Sequence, residues 1–351
     1  MVDRTSPSSP DERAHDDAFG GSALAFDPLS DALRHVRLTG ALFFVWEATF
    51  PFATTVPRGD RFARMLLPRA QQILSYHLVL DGSCWGGLIG EAPVQLRPGD
   101  VLLVPRGDAY VMASSEASCR STPVDEPAAL EFFRLMAAGE LPAVVQEGGE
   151  GPDLVRVICG FLGCDLRPFN PVVAALPALL RLAPAGGPAD DRLRRLVDYA
   201  LAEAREPSPG SGGILARLGE LMFVEVIRRC LHQLDAAPRG WLAGLRDPVV
   251  ARCLGLMHRR PDAPWTLDRL ATAVGSSRSA LAQRFVDRVG EPPMQYLTRW
   301  RLQMAANLLQ DDSAKVATVA DRVGYGSTAA FTRAFKRIVG VTPSEWRESV
   351  A

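Results

Sequence analysis

The stretch TLDRLATAVGSSRSALAQRFVDRVGEPP (Thr266–Pro293) returns 49 or 50 residues later as KVATVADRVGYGSTAAFTRAFKRIVGVTP (Lys315–Pro343). Each copy opens with four apolar residues at i, i+3, i+4, i+7: Leu267, Leu270, Ala271 and Val274, then Val316, Val319, Ala320 and Val323. That spacing predicts one buried stripe of a short helix. Gly275 or Gly324 then ends the helix, and Ser277 or Ser327 stands where it can cap a second one. The second helix has apolar anchors four apart, Leu281 with Phe285 and Phe331 with Phe335; Gly290 and Gly340 close the copies. Helix, tight turn, helix is the helix-turn-helix pattern, whose second helix enters the DNA major groove.

Between the copies, MQYLTRWRLQMAANLLQ (Met294–Gln310) has no glycine or proline and two apolar faces. Leu297, Trp300, Met304 and Leu308 form one face; Leu302, Ala305, Ala306 and Leu309 form the other. A helix apolar on two sides packs against two bodies, so it is read as a strut between two lobes. Its seventeen residues span about 25 Å, and recognition helices set beyond its ends approach one DNA turn, roughly 34 Å. Arg301 is expected to pair with an acidic residue such as Asp321.

The region from Asp247 to the C-terminus resembles the DNA-binding domain of the AraC/XylS family of bacterial transcription regulators, through the run RLQMAANLL and the signature VATVADRVGYGSTAAFTRAFKRIVGVTPSEWR. The resemblance covers about 100 residues and implies double-stranded DNA as partner.

Charge agrees with that. Residues 247–351 carry 15 Lys and Arg against 10 Asp and Glu, a balance of +5, whereas residues 1–246 carry 24 against 30, or −6. A basic domain on an acidic body suits a polyanion bound by that domain alone. On the first recognition helix, Ser277, Arg278, Ser279, Ala282 and Gln283 are expected to face DNA; on the second, Ser327, Thr328, Ala329, Thr332, Arg333, Lys336 and Arg337. Gln283 and Arg333 have the donor geometry for adenine and guanine edges. Ser277, Ser327, Lys336 and Arg337 suit phosphates, though the two serines equally suit helix caps.

Upstream, the chain reads differently. LTGALFFVWEATFPFA (Leu38–Ala53), ILSYHLVLDGSCWGGLIG (Ile73–Gly90) and PVQLRPGDVLLVPRGDAYVM (Pro93–Met112) predict short strands with turns at Pro98-Gly99-Asp100 and Arg106-Gly107-Asp108. They argue for a small antiparallel barrel or jelly roll. PGDVLLVPRGDAYVM resembles the second motif of cupins, and Leu38–Leu182 resembles the cupin-type sensor of one AraC-family subgroup, to which CGFLGCDLRPFNPVVAALPALLRL (Cys159–Leu182) is also similar. The motif departs from metal-binding cupins: Tyr110 stands where such a cupin would place histidine, and this region keeps only His35 and His77. No metal or other cofactor is therefore expected. Trp46, Tyr76, His77, Trp85, Arg106 and Tyr110 are candidates to line an effector cavity, or else to be ordinary core and surface residues.

Ser114–Asp153 reads as a long excursion with one helix, Ala128–Ala138, and Val155–Cys164 as a returning strand. Two helices follow, Asp190–Glu206 and Ile214–Leu234, separated by PSPGSGG (Pro207–Gly213). Such hairpins in the family commonly make the dimer contact; covering the barrel is the alternative. Asp235–Arg246 reads as a linker, and Asp247-Pro248 as the N-cap and first turn of the next helix.

The expected protein is thus α+β and two-domain: a disordered leader (1–22), a cupin-like barrel for a small-molecule effector (23–185), a helical hairpin suited to homodimerisation (186–234), a linker (235–246) and an all-α double helix-turn-helix domain (247–351). The polar N-terminus lacks an apolar signal segment, and no run of about 18 apolar residues occurs, so a cytoplasmic protein is expected. Six scattered cysteines read as reduced thiols, with redox sensing at Cys84 or at Cys159 and Cys164 as a minor hypothesis. The expected activity is transcription regulation rather than catalysis, with RNA polymerase a further partner if the protein activates. The rivals are a metal-dependent cupin enzyme with a DNA module and an architectural DNA-binding protein.

Overall fold

The computed structural model describes residues 27–35, 38–67, 70, 72–164, 168–184, 186–233, 239–310 and 314–350, with the side chains of 34, 35, 38–40, 188, 189, 349 and 350 excepted. The leader 1–22, the first part of the linker and the side chain of His35 lie outside the described residues.

The elements run α1 (Pro28–His35), β1 (Leu38–Thr49), β2 (Ala53–Val56), α2 (Gly59–Leu66), β3 (Gln72–Asp81), β4 (Cys84–Leu88), β5 (Val94–Leu96), β6 (Val101–Val104) and β7 (Tyr110–Ala113). Then come α3 (Glu116–Ser121), α4 (Glu126–Ala137), β8 (Val144–Gly148), β9 (Leu154–Cys164), α5 (Pro171–Ala174) and β10 (Leu180–Leu182). The hairpin is α6 (Pro188–Arg205) and α7 (Ser211–Gln233). The C-terminal part holds α8 (Trp241–Arg246), α9 (Pro248–Arg259), α10 (Leu267–Val274), α11 (Arg278–Val289), α12 (Pro293–Leu308), α13 (Val316–Arg322), α14 (Thr328–Val339) and α15 (Pro343–Val350).

The strands form two sheets, one ordered β10-β6-β3-β9-β1-β8 and the other β2-β7-β4-β5. The central strands β3 and β9 of the larger sheet are buried on both faces, which explains their nearly unbroken apolar sequences. On β3, Ile73 and Val79 face the inside of the barrel, whereas Leu74, Tyr76 and Leu78 face the hairpin. The Tyr76 hydroxyl donates to the carbonyl of Gly219 on α7 at 3.0 Å. Gly160 lies opposite Tyr76 in the antiparallel ladder, and a Cβ there would sit 2.2 Å from the ring. Only glycine leaves room for the phenol to cross the strand.

One apolar core runs from this outer sheet face through α6 and α7 to the first helix-turn-helix lobe, taking in Tyr76, Phe223, Trp241, Leu254, Phe285 and Trp300. At the junction the Phe169 amide donates to the buried Gln303 Oε1 at 2.8 Å, and the Arg299 guanidinium lies 3.9 Å from the centre of the Phe169 ring. The second lobe has a separate, smaller core around Leu302, Val319, Phe331, Phe335 and Trp346. The strut α12 serves both as expected: Leu297 and Trp300 enter the first core, Leu302, Ala305, Ala306 and Leu309 the second. Leu308, placed on the first face by periodicity, packs with the second core instead.

Three expectations are corrected. The segment 114–153 holds two helices and a strand; β8 pairs parallel with β1, Val45 opposite Val144, and such distant pairing leaves no local signature. The second part of the linker is α8, with Trp241 and Leu242 buried, because packing outweighs the Pro238 and Gly240 punctuation. Arg301 does not pair with Asp321; it donates to the carbonyls of Pro261 at 2.7 Å and Ala263 at 2.8 Å, acceptors the neighbouring loop presents to it.

Candidate nucleic-acid interface and barrel cavity

Each recognition helix is set by a buried pair, Leu281 and Phe285 on α11, Phe331 and Phe335 on α14, all fully buried. This turns the remaining sides outward: Ser277, Arg278, Ser279 and Gln283 are exposed and Ala282 half-buried on the first; Ser327, Thr328, Ala329, Arg333, Lys336 and Arg337 are exposed and Thr332 half-buried on the second. Ser277 and Ser327 cap their helices, accepting from the amides of Ala280 and Ala330 at 3.2 Å each. Gln283 donates to Asp287 at 2.9 Å within its own helix.

The lobes differ in charge compensation. Arg278 lies 3.4 Å from Asp268, and Arg284 and Arg288 lie 2.7 and 3.5 Å from Asp247. On α14, none of Arg333, Lys336 and Arg337 has a carboxylate within ion-pair distance among the described residues. Arg284 and Arg288 escaped sequence reasoning, which followed the residues around the anchors rather than the later turns of α11.

Asp247 is buried at the base of the first lobe, where it accepts from the amides of Val249 and Val250 at 3.1 Å each. Burial works against its ionisation, but the hydrogen bonds from Arg284 and those two amides outweigh it and hold the carboxyl below its usual value. A depressed carboxylate stabilises the fold above its unfolded value, about pH 4, and that stability is lost as pH falls through the lower folded value. Asp247→Asn is therefore expected to cost about 1–3 kcal/mol at neutral pH and to flatten the acid limb of the stability profile. Urea unfolding at a series of pH values checks this, and an unchanged acid limb would rule it out.

Inside the barrel, a cavity of about 320 Å³ opens between the two sheets and α4. Phe44, Trp46, Phe132, Phe133, Phe161 and Met112 form its walls, His77 and Cys159 lie among its lining residues, and Thr54, Asp125 and Glu147 contribute polar atoms. Of the six effector candidates from sequence, Trp46 and His77 line this cavity, and Tyr110 backs it through a 2.5 Å hydrogen bond between its hydroxyl and His77 Nε2. The other three lie elsewhere. Tyr76 takes the opposite face because it neighbours His77 on a pleated strand; Trp85 packs on Val111, Ala113 and Cys119; Arg106 donates to the carbonyl of Leu176 at 2.7 Å. Phe132 and Phe133 were missed because the helix expected at Ala128–Ala138 gave no sign of facing the cavity, and Glu147 because β8 was read as part of the excursion.

His77 Nδ1 is 3.2 Å from the Cys159 sulfur, and burial lowers the imidazole to about 3, so it is neutral at physiological pH. Burial also pushes the Cys159 thiol well up and the Cys84 thiol to about 12. All six cysteines are buried and free, and protonated thiols are poor nucleophiles, which disfavours redox sensing. Among the described residues, no three His, Cys, Asp or Glu side chains converge as a metal site, and no helix is long and apolar enough to cross a membrane.

Comparison with known proteins bears on both halves. A family model described as Cupin matches residues 27–232, and one described as Helix-turn-helix domain matches 270–349. A protein of Streptomyces antibioticus named as an AraC-like transcription regulator is 32% identical over 92% of this chain and 98% of its own length. The HTH-type transcriptional regulator AlkR of Acinetobacter baylyi is 29% identical over 80% and 89%, and the RCS-specific transcriptional activator RclR of Escherichia coli 27% over 79% and 85%. Among solved structures, an AraC-type transcriptional regulator from Chromobacterium violaceum covers 30% of this chain and 93% of its own, at 29% identity and a TM-score of 0.28. A sheet-rich cupin domain matched over 27–232, a helix-turn-helix model matched over 270–349, and a relative 32% identical over 92% of this chain place it in the AraC family of transcription regulators.

Proposed function

We propose that α11 and α14 read two successive blocks on one face of a promoter or operator, while a small molecule in the barrel cavity controls the protein. The observation that carries this is the pair of outward recognition faces held by one strut, α12, whose sixteen residues span about 24 Å. Arg333, exposed and uncompensated, pairs with a guanine edge. Lys336 and Arg337 hold phosphates, as do the Ser277 and Ser327 hydroxyls beyond their capping role. Gln283 reaches an adenine edge once DNA displaces Asp287 from its amide. The role is binding rather than catalysis, in the cytoplasm, with the α6–α7 hairpin joining two copies and RNA polymerase engaged where the protein activates.

Selection from random duplexes with the full-length protein tests this. Two unlike enriched blocks about ten base pairs apart are expected; a single block, or binding without enrichment that vanishes as salt rises, would refute two-lobe readout. On the selected site, Arg333→Ala is expected to cost about 1–3 kcal/mol and relax preference at one position, whereas Lys336→Ala weakens all sequences alike and lowers the salt slope by about one. Mobility-shift titrations at several salt concentrations separate the two.

A further inference from the structure

We propose that the barrel cavity selects a molecule with an aromatic or other apolar body and a protonated amine, the body among the rings and the ammonium at Glu147. This rests on the reading of the cavity as the effector site. The inner wall is a lattice of rings: Phe44 stands edge-on to Phe132 at 5.5 Å, Phe133 lies 5.1 Å from Phe161, and Phe62 stacks behind Phe133 at 4.1 Å. Such a wall offers an apolar body the area to bury and offers a cation ring faces to lie against.

The charged groups that line it have one sign. Among the described residues no lysine or arginine contributes to the lining, and the only lining imidazole, His77, already holds the Tyr110 hydroxyl and the Cys159 sulfur. Glu147 is the opposite case. Trp46 Nε1 donates to its Oε2 at 2.9 Å and Thr54 Oγ1 to its Oε1 at 2.7 Å, so the carboxylate is fixed in direction, yet no cation among the described residues pairs with it. Asp125 adds a second carboxylate to the lining, engaged as the N-cap of α4 through the Ala128 amide. The guanidinium beside the start of α4, Arg61, is 2.6 Å from Glu126 and is compensated there. An anionic ligand would meet two carboxylates and no counter-charge; a neutral one would leave the Glu147 charge uncompensated. Glu147 is exposed, so its attraction is screened and sets selectivity more than affinity.

The test is calorimetric titration of the full-length protein with three probes of one shape: phenethylamine, phenethyl alcohol and phenylacetate. The expected order is amine first, alcohol second, carboxylate last. Glu147→Gln is expected to weaken the amine on the order of three- to tenfold and to leave the alcohol unchanged, which also shows that the cavity is still folded. Equal binding of amine and alcohol, tighter binding of the carboxylate, or an unchanged amine preference in the variant would overturn the charge selection while leaving the cavity as a binding site. Absence of heat with all three at millimolar concentration would instead overturn the effector reading, and the present inference with it.

Discussion

Phe335→Ala is expected to melt the second lobe and leave the barrel and the first lobe intact. Phe335 is fully buried, 5.5 Å from Phe331 and 6.2 Å from Trp346 in ring-centre distance, in a core of ten buried residues among those described. Removing a buried phenylalanine costs about 3–5 kcal/mol. A unit of this size holds a few kcal/mol in total, on the order of 0.1 kcal/mol per residue, so the substitution consumes the lobe's stability. Amide exchange should become fast across α13, α14 and α15 while β3 and β9 stay protected. If protection in the barrel strands fell equally, the two cores would not be independent and this account of the fold would be wrong.

Gly324→Ala acts on geometry as well as stability. Gly324 ends α13 at φ +81°, and a Cβ there would stand 2.7 Å from the Asp262 carbonyl oxygen and 2.9 Å from an Arg301 guanidinium nitrogen. Asp262 belongs to the first lobe and Arg301 to the strut, which makes this the point where the second lobe is held against the first. The backbone strain alone is worth about 1–3 kcal/mol, and relieving the clash must move one lobe relative to the other. The variant is expected to bind a two-block site on the order of a hundredfold more weakly while binding either single block nearly as before, since a small displacement forbids simultaneous engagement. Gly340→Ala is the control, because Gly340 also has a positive φ, +94°, but a Cβ there meets nothing within 4 Å. Equal two-block affinity in both variants would show that the junction does not set the spacing.

How far the sequence was legible follows from where its signals are local. The doubled lobe could be read because each of its cues, from the stripe of Leu270 and Val274 to the Phe331 and Phe335 anchors, lies within a few residues of the next. The turn chemistry at Gly99 and Gly107 placed the barrel strands for the same reason. The cavity could not be read that way. Glu147 reaches it on β8, which joins β1 across about a hundred residues, and Phe132 and Phe133 reach it on a helix whose own periodicity does not say which sheet it covers. Tyr76 and His77 illustrate the limit: aromatic content marks both as candidates, but the pleat sends one to the hairpin and the other to the cavity.

The continuous core between the barrel and the first lobe also bears on how interchangeable the parts are. A cut at Asp247, where motif analysis would divide the chain, separates Trp241 and Leu242 from the helices they pack against and strips Gln303 and Tyr296 of their Phe169 partner. Barrel and first lobe would therefore have to be transplanted together or repaired along that seam. The second lobe, with its own core, is attached only through the strut and the Gly324–Asp262 contact among the described residues, so it is the part that can be exchanged if both are kept. Such an exchange would leave the packing between the barrel and the first lobe untouched.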